Sequence, residues 1–559
     1  MKNLWVSIIF TFVTICSHGQ IKEIASVDSI FAEWNKPDVP GCALGIINNG
    51  KLIYSNGYGI GDLEHDIFIT PSSVFYIGSV SKQFVTFSIL LLEEKGKLDL
   101  DDEIQKFLPD FPEYETPLTI RHFIHHTSGV RDYLTLMYLK GRSYLDHIED
   151  DEVYELIKNQ NVLNFSPGEQ YLYSNSCYFM LAMIIEKAAG QSLKEFAKEN
   201  IFEPLGMHQT IFYDDNTDII KNRVFSYEKE QNGDGFDNLI MRFDLVGSGG
   251  VYSNIEDLFL WDQNFYFNKL GKGGQEIVQK MHEEGLLNNG ESSGYAFALN
   301  IGTYKGLKTV SHGGALAGYR AQLMRFPEQN FSVIILSNRS DANPTSKAYQ
   351  VADIFLKDKL EVDEKEEQKL NKSNERVVKL STKKLEKFCA SYWNIEDSYS
   401  RKIYLKNDTL IYYRSENSES NLIPINQNEF KMLGVNADIE VKFEIRENNQ
   451  QIMIITIDDG EPIESVAYEP ASYSNKELKK FAGSYNSDEL NVVYDLMMKD
   501  ADLILYLKGK EISVMHAIKD NIFSNDDFGV FEFKKDSNGR IEEFELMAGR
   551  VKNLKFIKQ

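Results

Sequence analysis

Strand-forming stretches lie at both ends of the first 360 residues, with a helical stretch between them, and this order limits the folds open to the chain. Near the start, Cys42-Ala43-Leu44-Gly45-Ile46-Ile47 and Lys51-Leu52-Ile53-Tyr54 flank Asn48-Asn49-Gly50. Asn and Gly tolerate positive φ, so Asn-Gly between two apolar runs predicts an antiparallel hairpin. Near the end, residues 295–301 and 308–310 read as strands. Residues 321–326 and 331–336 read as a second hairpin around Pro327-Glu328-Gln329-Asn330, and 345–357 as a closing helix. Residues 92–205 read as mostly helical, with polar loops. A lone hairpin is marginal in water. The early and late strands are therefore expected to share one sheet with the helical region packed beside it, an α+β arrangement.

One motif stands at the mouth of an apolar helix. Gly78 precedes Ser79, Lys82 follows three residues later, and Val85, Phe87, Ile89, Leu90, Leu91 and Leu92 come next. With Ser79 in the first turn, one helical turn brings the Lys82 amine to the same face. A Ser hydroxyl is a poor nucleophile until a base takes its proton, and Ser-x-x-Lys is one way to supply that base. The pattern alone is weak, since about two copies are expected by chance in a chain of this size. Ser226 to Lys229 and Ser381 to Lys384 are such copies, but neither opens an apolar helix.

Tyr-Ser-Asn occurs four times, at 54–56, 173–175, 252–254 and 473–475. Only Tyr173-Ser174-Asn175 sits on a Pro-Gly loop (Pro167-Gly168) just before an apolar helix, where a short turn holds side chains in a cleft; Gly190 is placed to end that helix. The copy at 252 follows Gly247-Ser248-Gly249-Gly250 and is a minor rival. His125-His126 has no acidic or Cys partner at metal spacing nearby, so a structural loop is the preferred reading. Further on, the expected strands deliver Ser311-His312-Gly313-Gly314.

Composition excludes some partners. The formal net charge is -24, which argues against nucleic acid, because phosphate binding needs basic patches. Lys2, an apolar run from Leu4 to Ile15 and Ser17-His18-Gly19 read as a secretory signal over residues 1–19, implying export to the periplasm or the outside. Ile15 is bulky before Cys16, which argues against a lipid anchor there. No later stretch is long and apolar enough to span a membrane. Cys42, Cys177 and Cys389 are odd in number and far apart, so free thiols are expected rather than a disulfide framework or zinc site. No cofactor is expected, and the partner is a small-molecule or peptide substrate.

The expected division is a main domain at 20–360, a charged linker at 361–384 and two β-rich repeats at 385–470 and 471–559. The repeat rests on Leu385-Glu386-Lys387-Phe388-Cys389-Ala390-Ser391-Tyr392 matching Leu478-Lys479-Lys480-Phe481-Ala482-Gly483-Ser484-Tyr485. The same offset relates Leu410-Ile411 to Leu503-Ile504, Ile425 to Ile518 and Phe430 to Phe523. These modules read as sheets or small barrels without a catalytic constellation, as scaffold or as a gate to substrate.

Ser79-x-x-Lys82, Tyr173-x-Asn175 and His312-Gly313-Gly314, in this order, resemble the serine β-lactamase and penicillin-binding-protein superfamily. The nearest likeness is to its branch of class C β-lactamases, D-aminopeptidases, DD-carboxypeptidases and family-VIII-type esterases. Thr119-Ile120-Arg121-His122, His126-Thr127-Ser128-Gly129, Pro167-Gly168-Glu169 and Pro204-Leu205-Gly206-Met207 strengthen it, over roughly residues 25–360. The resemblance implies an antiparallel sheet flanked by helices plus a helical lobe, with the site between. The two β modules are compatible with the lipocalin-like barrel known in this branch. It also implies acyl-enzyme chemistry. Ser79 would attack a carbonyl, with backbone N–H groups including its own holding the oxyanion. Lys82 or Tyr173 would be the base; free Lys and Tyr titrate near 10.4 and 10, so either needs a shift to work at neutral pH. Asn175 would hold the substrate's amide or the Lys82 amine, His312 would line the far wall, and Gly313-Gly314 would leave room for the substrate backbone.

Many relatives carry Lys-Thr-Gly where this chain has His312-Gly313-Gly314. A Lys there is a fixed cation for a substrate carboxylate, whereas His is largely neutral at pH 7. The leading expectation is therefore a serine hydrolase acting on a small ester, amide or D-residue peptide. Against it stand a β-lactamase, a catalytically silent relative that binds cell-wall or peptide ligands, and an adhesin working through its C-terminal repeats.

Overall fold

The computed structural model describes residues 22–231, 233–272, 274–361, 378–394, 399–415, 418–435, 439–446, 449–457 and 462–559. The expected signal with Cys16, and positions 362–377 of the expected linker, lie outside the described residues. The chain divides into two compact units. The first holds the described residues of Met1–Leu134, Ser143–Lys158 and Phe165–Val362. The second holds those of Thr135–Arg142, Asn159–Asn164 and Asp363–Gln559, so two short segments from within 20–360 group with the C-terminal part.

In the first unit, β1 (Cys42–Asn48) and β2 (Lys51–Tyr58) form the expected hairpin. Asn49 and Gly50 turn it with φ of 49° and 75°, left-handed values that these two residues adopt at low cost. Helix α1 (Lys82–Glu94) is buried on every side from Lys82 to Leu92, as its unbroken apolar run demands. Helix α2 (Asn175–Ala189) ends at Gly190 in a left-handed cap. Helix α3 (Ile255–Asn264) precedes the late strands β3 (Asn300–Tyr304), β4 (Leu307–Leu316), β5 (Tyr319–Phe326) and β6 (Phe331–Ser337), and α4 (Pro344–Leu356) follows them.

The early hairpin joins the late strands in one sheet, ordered β3-β4-β5-β6-β1-β2. The seam is β1 against β6, antiparallel, with Cys42 opposite Ser337 and Asn48 opposite Phe331. Alternation along β1 sends Cys42, Leu44 and Ile46 into a core with Val27, Phe31 and Trp34 near the N-terminus and Ala348, Val351 and Leu356 of α4. Gly45 points to the opposite face, where an added Cβ would stand 2.6 Å from the Ile255 side chain of α3. Helices thus cover both faces, which is why β1 is buried nearly throughout.

One expected strand is displaced. Residues 295–299 are not strand; β3 starts at Asn300. Ala298 has a left-handed φ of 57°, and the Ala296 N–H donates to the Leu299 carbonyl at 2.8 Å. This tight turn interrupts the extended chain and swings Tyr295 away from the sheet ladder, to a place that matters below.

The second unit contains two all-β bodies. Eight strands from Ala390–Asn394 to Ile463–Tyr468 run in consecutive order, and the last pairs with the first to close a barrel. Its interior is filled by Tyr392, Ile403, Leu410, Phe430, Val441, Phe443 and Met453, as an eight-stranded barrel allows. A nine-stranded antiparallel sheet from Gly483–Ser487 to Val551–Lys558 follows. The repeat is visible in the packing. The Tyr392 hydroxyl donates to the Phe388 carbonyl at 2.9 Å, and the matching Tyr485 hydroxyl to the Phe481 carbonyl at 2.7 Å. Leu410 and Leu503, and Phe430 and Phe523, are buried pairs at equivalent places.

Candidate active site

The turn that carries Ser79 is pinned from two sides. The Ile77 N–H donates to the Val251 carbonyl at 3.0 Å, while Gly78, with φ of 55°, lies against β4. A Cβ on Gly78 would stand 2.6 Å from the Ala315 nitrogen, so only glycine meets both the backbone angle and the close approach. Ser79 was expected in the first turn of an α-helix. It stands instead in a 3-10 turn, Gly78–Ser81, that runs into α1 at Lys82. Residues three apart eclipse one another in a 3-10 turn, and this stacks Lys82 beside Ser79. The Lys82 Nζ lies 3.1 Å from the Ser79 Oγ. Ser79 remains half-buried, whereas Lys82 has no exposed surface.

Two carbonyl oxygens also lie against that amine. Lys82 donates to the Asn175 Oδ1 at 2.9 Å and to the Ser248 carbonyl. Asn175 opens α2 and is oriented by buried Asp132, whose Oδ2 accepts from the Asn175 backbone N–H at 2.7 Å and from its Nδ2 at 2.8 Å. A carboxylate that only accepts leaves the Asn175 amide one orientation, with its oxygen toward Lys82. The Ser248 Oγ is within 2.8 Å of the Tyr133 hydroxyl, which fixes the loop that carries the second carbonyl.

Tyr173 lies under the amine, its ring centroid 4.8 Å from the Lys82 Nζ; the Tyr178 ring is 5.3 Å away. The His126 ring packs on Tyr173 at 4.1 Å, and its Nδ1 accepts from the Ser174 N–H at 3.1 Å. His126 is thus part of the frame that sets Tyr173. His125 turns the other way and meets the Tyr295 carbonyl at 3.2 Å. Among the described residues no group of three His, Cys, Asp or Glu side chains has a metal-binding arrangement.

His312 is 4 % exposed and forms the opposite wall from β4, its ring 6.3 Å from that of Tyr173. Its Nδ1 lies 2.6 Å from the Gly313 carbonyl and its Nε2 2.9 Å from the Tyr295 hydroxyl. Burial, with the Lys82 charge adding to it, pushes the His312 imidazole down to about 4. Gly314 presses against the nucleophile turn: an added Cβ would stand 2.0 Å from the Ile77 carbonyl oxygen and 3.1 Å from the Ser79 nitrogen. Gly313 points to the other face of the strand, toward Gln322.

Ser79, Lys82, Tyr173, Asn175, His312 and Gly314 are therefore gathered in one place, and the competing copies are elsewhere. Tyr252 pairs within a small three-stranded sheet and Asn254 caps α3. The Ser226 hydroxyl donates to the Leu239 carbonyl, while Lys229 reaches Asp341. Sequence reasoning missed Asp132, Tyr133, Tyr178, Ser248, Tyr295 and Ala315. Asp132 follows the Thr127-Ser128-Gly129 turn closely and Ala315 directly follows Gly314, so proximity to motifs was the available signal. Ser248 acts through its carbonyl, which no residue type announces.

A family model described as Beta-lactamase matches residues 27–355. The chain belongs to the β-lactamase family. It is 28% identical over 438 residues to Penicillin-binding protein 4* of Bacillus subtilis (strain 168), covering 75% of this chain and 92% of that relative. It is 26% identical over 314 residues to a D-aminopeptidase of Gluconobacter oxydans (strain 621H), covering 56% of this chain and 58% of that protein. Thus the chain spans somewhat over half the length of that D-aminopeptidase. Among solved structures, the octameric penicillin-binding protein homologue from Pyrococcus abyssi shares the fold with a TM-score of 0.55 at 22% identity, over 80% of this chain and 99% of that one. The D-amino acid amidase from Ochrobactrum anthropi SV3 shares it with a TM-score of 0.52 at 19% identity, over 60% and 99%. This β-lactamase-family chain is a serine hydrolase by kinship, on the fold that the sequence implied. No described helix is long and apolar enough to cross a membrane.

Proposed function

We propose that this chain is an exported serine hydrolase that works through an acyl-enzyme on Ser79, with a small ester, amide or D-residue peptide as substrate. The observation that carries the reading is the contact of the Lys82 amine with the Ser79 hydroxyl, with the Asn175 and Ser248 oxygens holding the amine in place. The Asn175 and Ser248 oxygens can only accept, so they take two protons. With the amine neutral, its two protons serve those oxygens and its lone pair can take the Ser79 proton across 3.1 Å. That is the arrangement of a general base on a nucleophile.

In the acylation step the Ser79 proton passes to Lys82 as Oγ bonds to the substrate's carbonyl carbon. The resulting oxyanion takes hydrogen bonds from backbone N–H groups, for which Ser79 and Ala315, brought together by the Gly78–Gly314 contact, are the candidates. The proton then leaves with the alcohol or amine as the tetrahedral intermediate collapses, and water releases the acyl group by the reverse route. Tyr173 packs the face of its ring beneath the Lys82 amine and helps to hold it.

His312 supports the substrate class. A neutral imidazole offers no fixed cation to a substrate carboxylate, which favours esters, amides and D-residue peptides over dedicated penicillin hydrolysis. The D-aminopeptidase and D-amino acid amidase among its relatives favour the same class. Export rests on Lys2 and the apolar run behind it. The test is the intact mass of the secreted protein after a fluorophosphonate, for wild type and Ser79→Ala. One adduct, lost in the variant, is expected; an unlabelled, folded wild type would refute the reading. Penicillin turned over faster than every ester and D-amino-acid amide in a panel would refute the substrate class.

A further inference from the structure

Tyr295 belongs to none of the motifs, yet it touches the wall of the cleft. Its backbone is carried out of the sheet by the turn at Ala298, and its side chain is buried. The hydroxyl lies 2.9 Å from the Nε2 of His312. The other ring nitrogen decides how this contact is polarised. Nδ1 is 2.6 Å from the Gly313 carbonyl, an atom that only accepts, so Nδ1 must carry a proton. In a neutral ring the Nε2 is then bare and must accept. Burial pushes the Tyr295 phenol well up, so it keeps its proton and is a donor. The Tyr178 hydroxyl, whose own proton goes to the Ile124 carbonyl, is the other acceptor beside it, and among the described residues the bare Nε2 has no other donor.

We propose that Tyr295 is a positioning residue of this site: its hydroxyl donates to the His312 Nε2 and holds the ring as the neutral Nδ1–H tautomer, with both nitrogens committed to the protein. The substrate then meets a fixed, uncharged surface with no spare donor from His312. A cleft of this kind admits substrates that carry no carboxylate at that wall, and it admits them at any pH at which the lock holds. This rests on the reading of the cleft as the reactive site.

Several groups face the ring. Lys82 approaches from α1 and, when protonated, opposes protonation of His312. Tyr173 approaches from the loop before α2, and Tyr295 from the turn before β3. Tyr171, Tyr178 and His126 lie around Tyr295, not against the ring itself. A hydrogen bond received by neutral Nε2 favours the neutral form, so its removal moves the titration of His312 upward while burial continues to hold it down.

The test is nitrogen-15 spectroscopy of the full chain with labelled histidine imidazoles, with His312→Gln used to assign the resonance, and kcat/KM against pH for wild type and Tyr295→Phe. In the wild type, His312 should show a protonated Nδ1 and a bare Nε2 from pH 5 to 8. In Tyr295→Phe the midpoint of His312 should rise by about 0.5–1 pH unit, and the acid limb of kcat/KM should rise with it. A merely structural tyrosine would lower stability without moving that limb. A wild-type ring with Nε2 protonated at pH 7 would overturn the proposal, and so would a variant with midpoint and limb unchanged. If Tyr295→Phe fails to fold, the wild-type tautomer decides. A correct tautomer in a protein whose Ser79 takes no fluorophosphonate would sink the hydrolase reading and leave only the hydrogen bond from Tyr295 to His312 standing.

Discussion

Asp132 is one bond removed from the chemistry, and its effect comes from what it cannot do. As a carboxylate it donates nothing, so the Asn175 amide must turn its nitrogen toward Asp132 and its oxygen toward Lys82. Asp132→Asn restores a donor at that place and permits the flipped amide, which would present N–H groups to an amine that needs acceptors. Because small misplacements of a reacting group are costly, kcat/KM should fall about 10- to 100-fold, with circular dichroism and melting little changed. Full activity in that variant would mean that Asn175 is oriented by something else. The contrast with Ser79 and Lys82 is instructive: the roles proposed for those two follow from their side-chain chemistry, which a sequence motif can carry. Asp132 carries its role in a relationship across 43 residues of chain, which only folding reveals.

At the scale of elements, α3 is bound to the back of the sheet by a buried ion pair. The Arg325 Nε of β5 donates to the Asp262 Oδ1 of α3 at 2.8 Å, both side chains being 2 % exposed, and the Phe265 ring lies 3.9 Å from the guanidinium carbon. Burial raises the Asp262 carboxyl even though Arg325 pulls it down, so desolvation is the larger effect. Such a pair gives little net stability but is costly to break. Asp262→Ala should lose about 3–5 kcal/mol in urea unfolding, while a joint replacement of Asp262 and Arg325 by apolar residues should lose far less. A loss under about 1 kcal/mol for Asp262→Ala would mean that water reaches the guanidinium. Neither partner was legible beforehand, because a charged residue in an apolar strand does not name its counter-charge. The hairpins were legible for the opposite reason. Asn49-Gly50 fixes a turn by backbone preference alone, and Pro327 to Asn330 does the same for β5 and β6. The misplaced start of β3 shows the limit: a left-handed Ala298 has no sequence mark, and it overrode an apolar run that read as strand. The matching stretches of the two β bodies include buried aromatic positions such as Tyr392 and Tyr485, which tolerate little substitution.

Across the whole molecule, the same burial that quiets His312 also acts on His125 and His282, and all three are pushed down to about 4, chiefly by desolvation. An unfolded chain takes up these protons near pH 6.5, whereas the folded one resists until about 4. In that window the unfolded state binds more protons, so stability falls as the pH falls from 6.5 toward 4. Asp150 works the other way. Burial first, then Asp244, Asp151, Asp214 and Glu149, raise its carboxyl to about 6. The fold therefore holds a proton there between 6 and 3.8 that the unfolded chain has lost, and ionising Asp150 above pH 6 costs stability. With His122 lowered as well, four histidines are set, among the described residues, against the three carboxyls that burial raises, Asp150, Asp257 and Asp262. The histidines are expected to dominate, so the melting temperature should drop between pH 7 and 4.5, measured at about 0.15 M salt to screen the negative net charge. Asp150→Asn isolates the opposing contribution. Discounted for partial exposure, it should gain about 1–2 kcal/mol at pH 7–8. The gain should shrink as the pH falls through 6, because the wild-type carboxyl is then protonated as well. A melting temperature that rises on acidification would overturn the histidine account. An Asp150→Asn variant no more stable than wild type at pH 7 would show that solvent already relieves the crowding around Asp150.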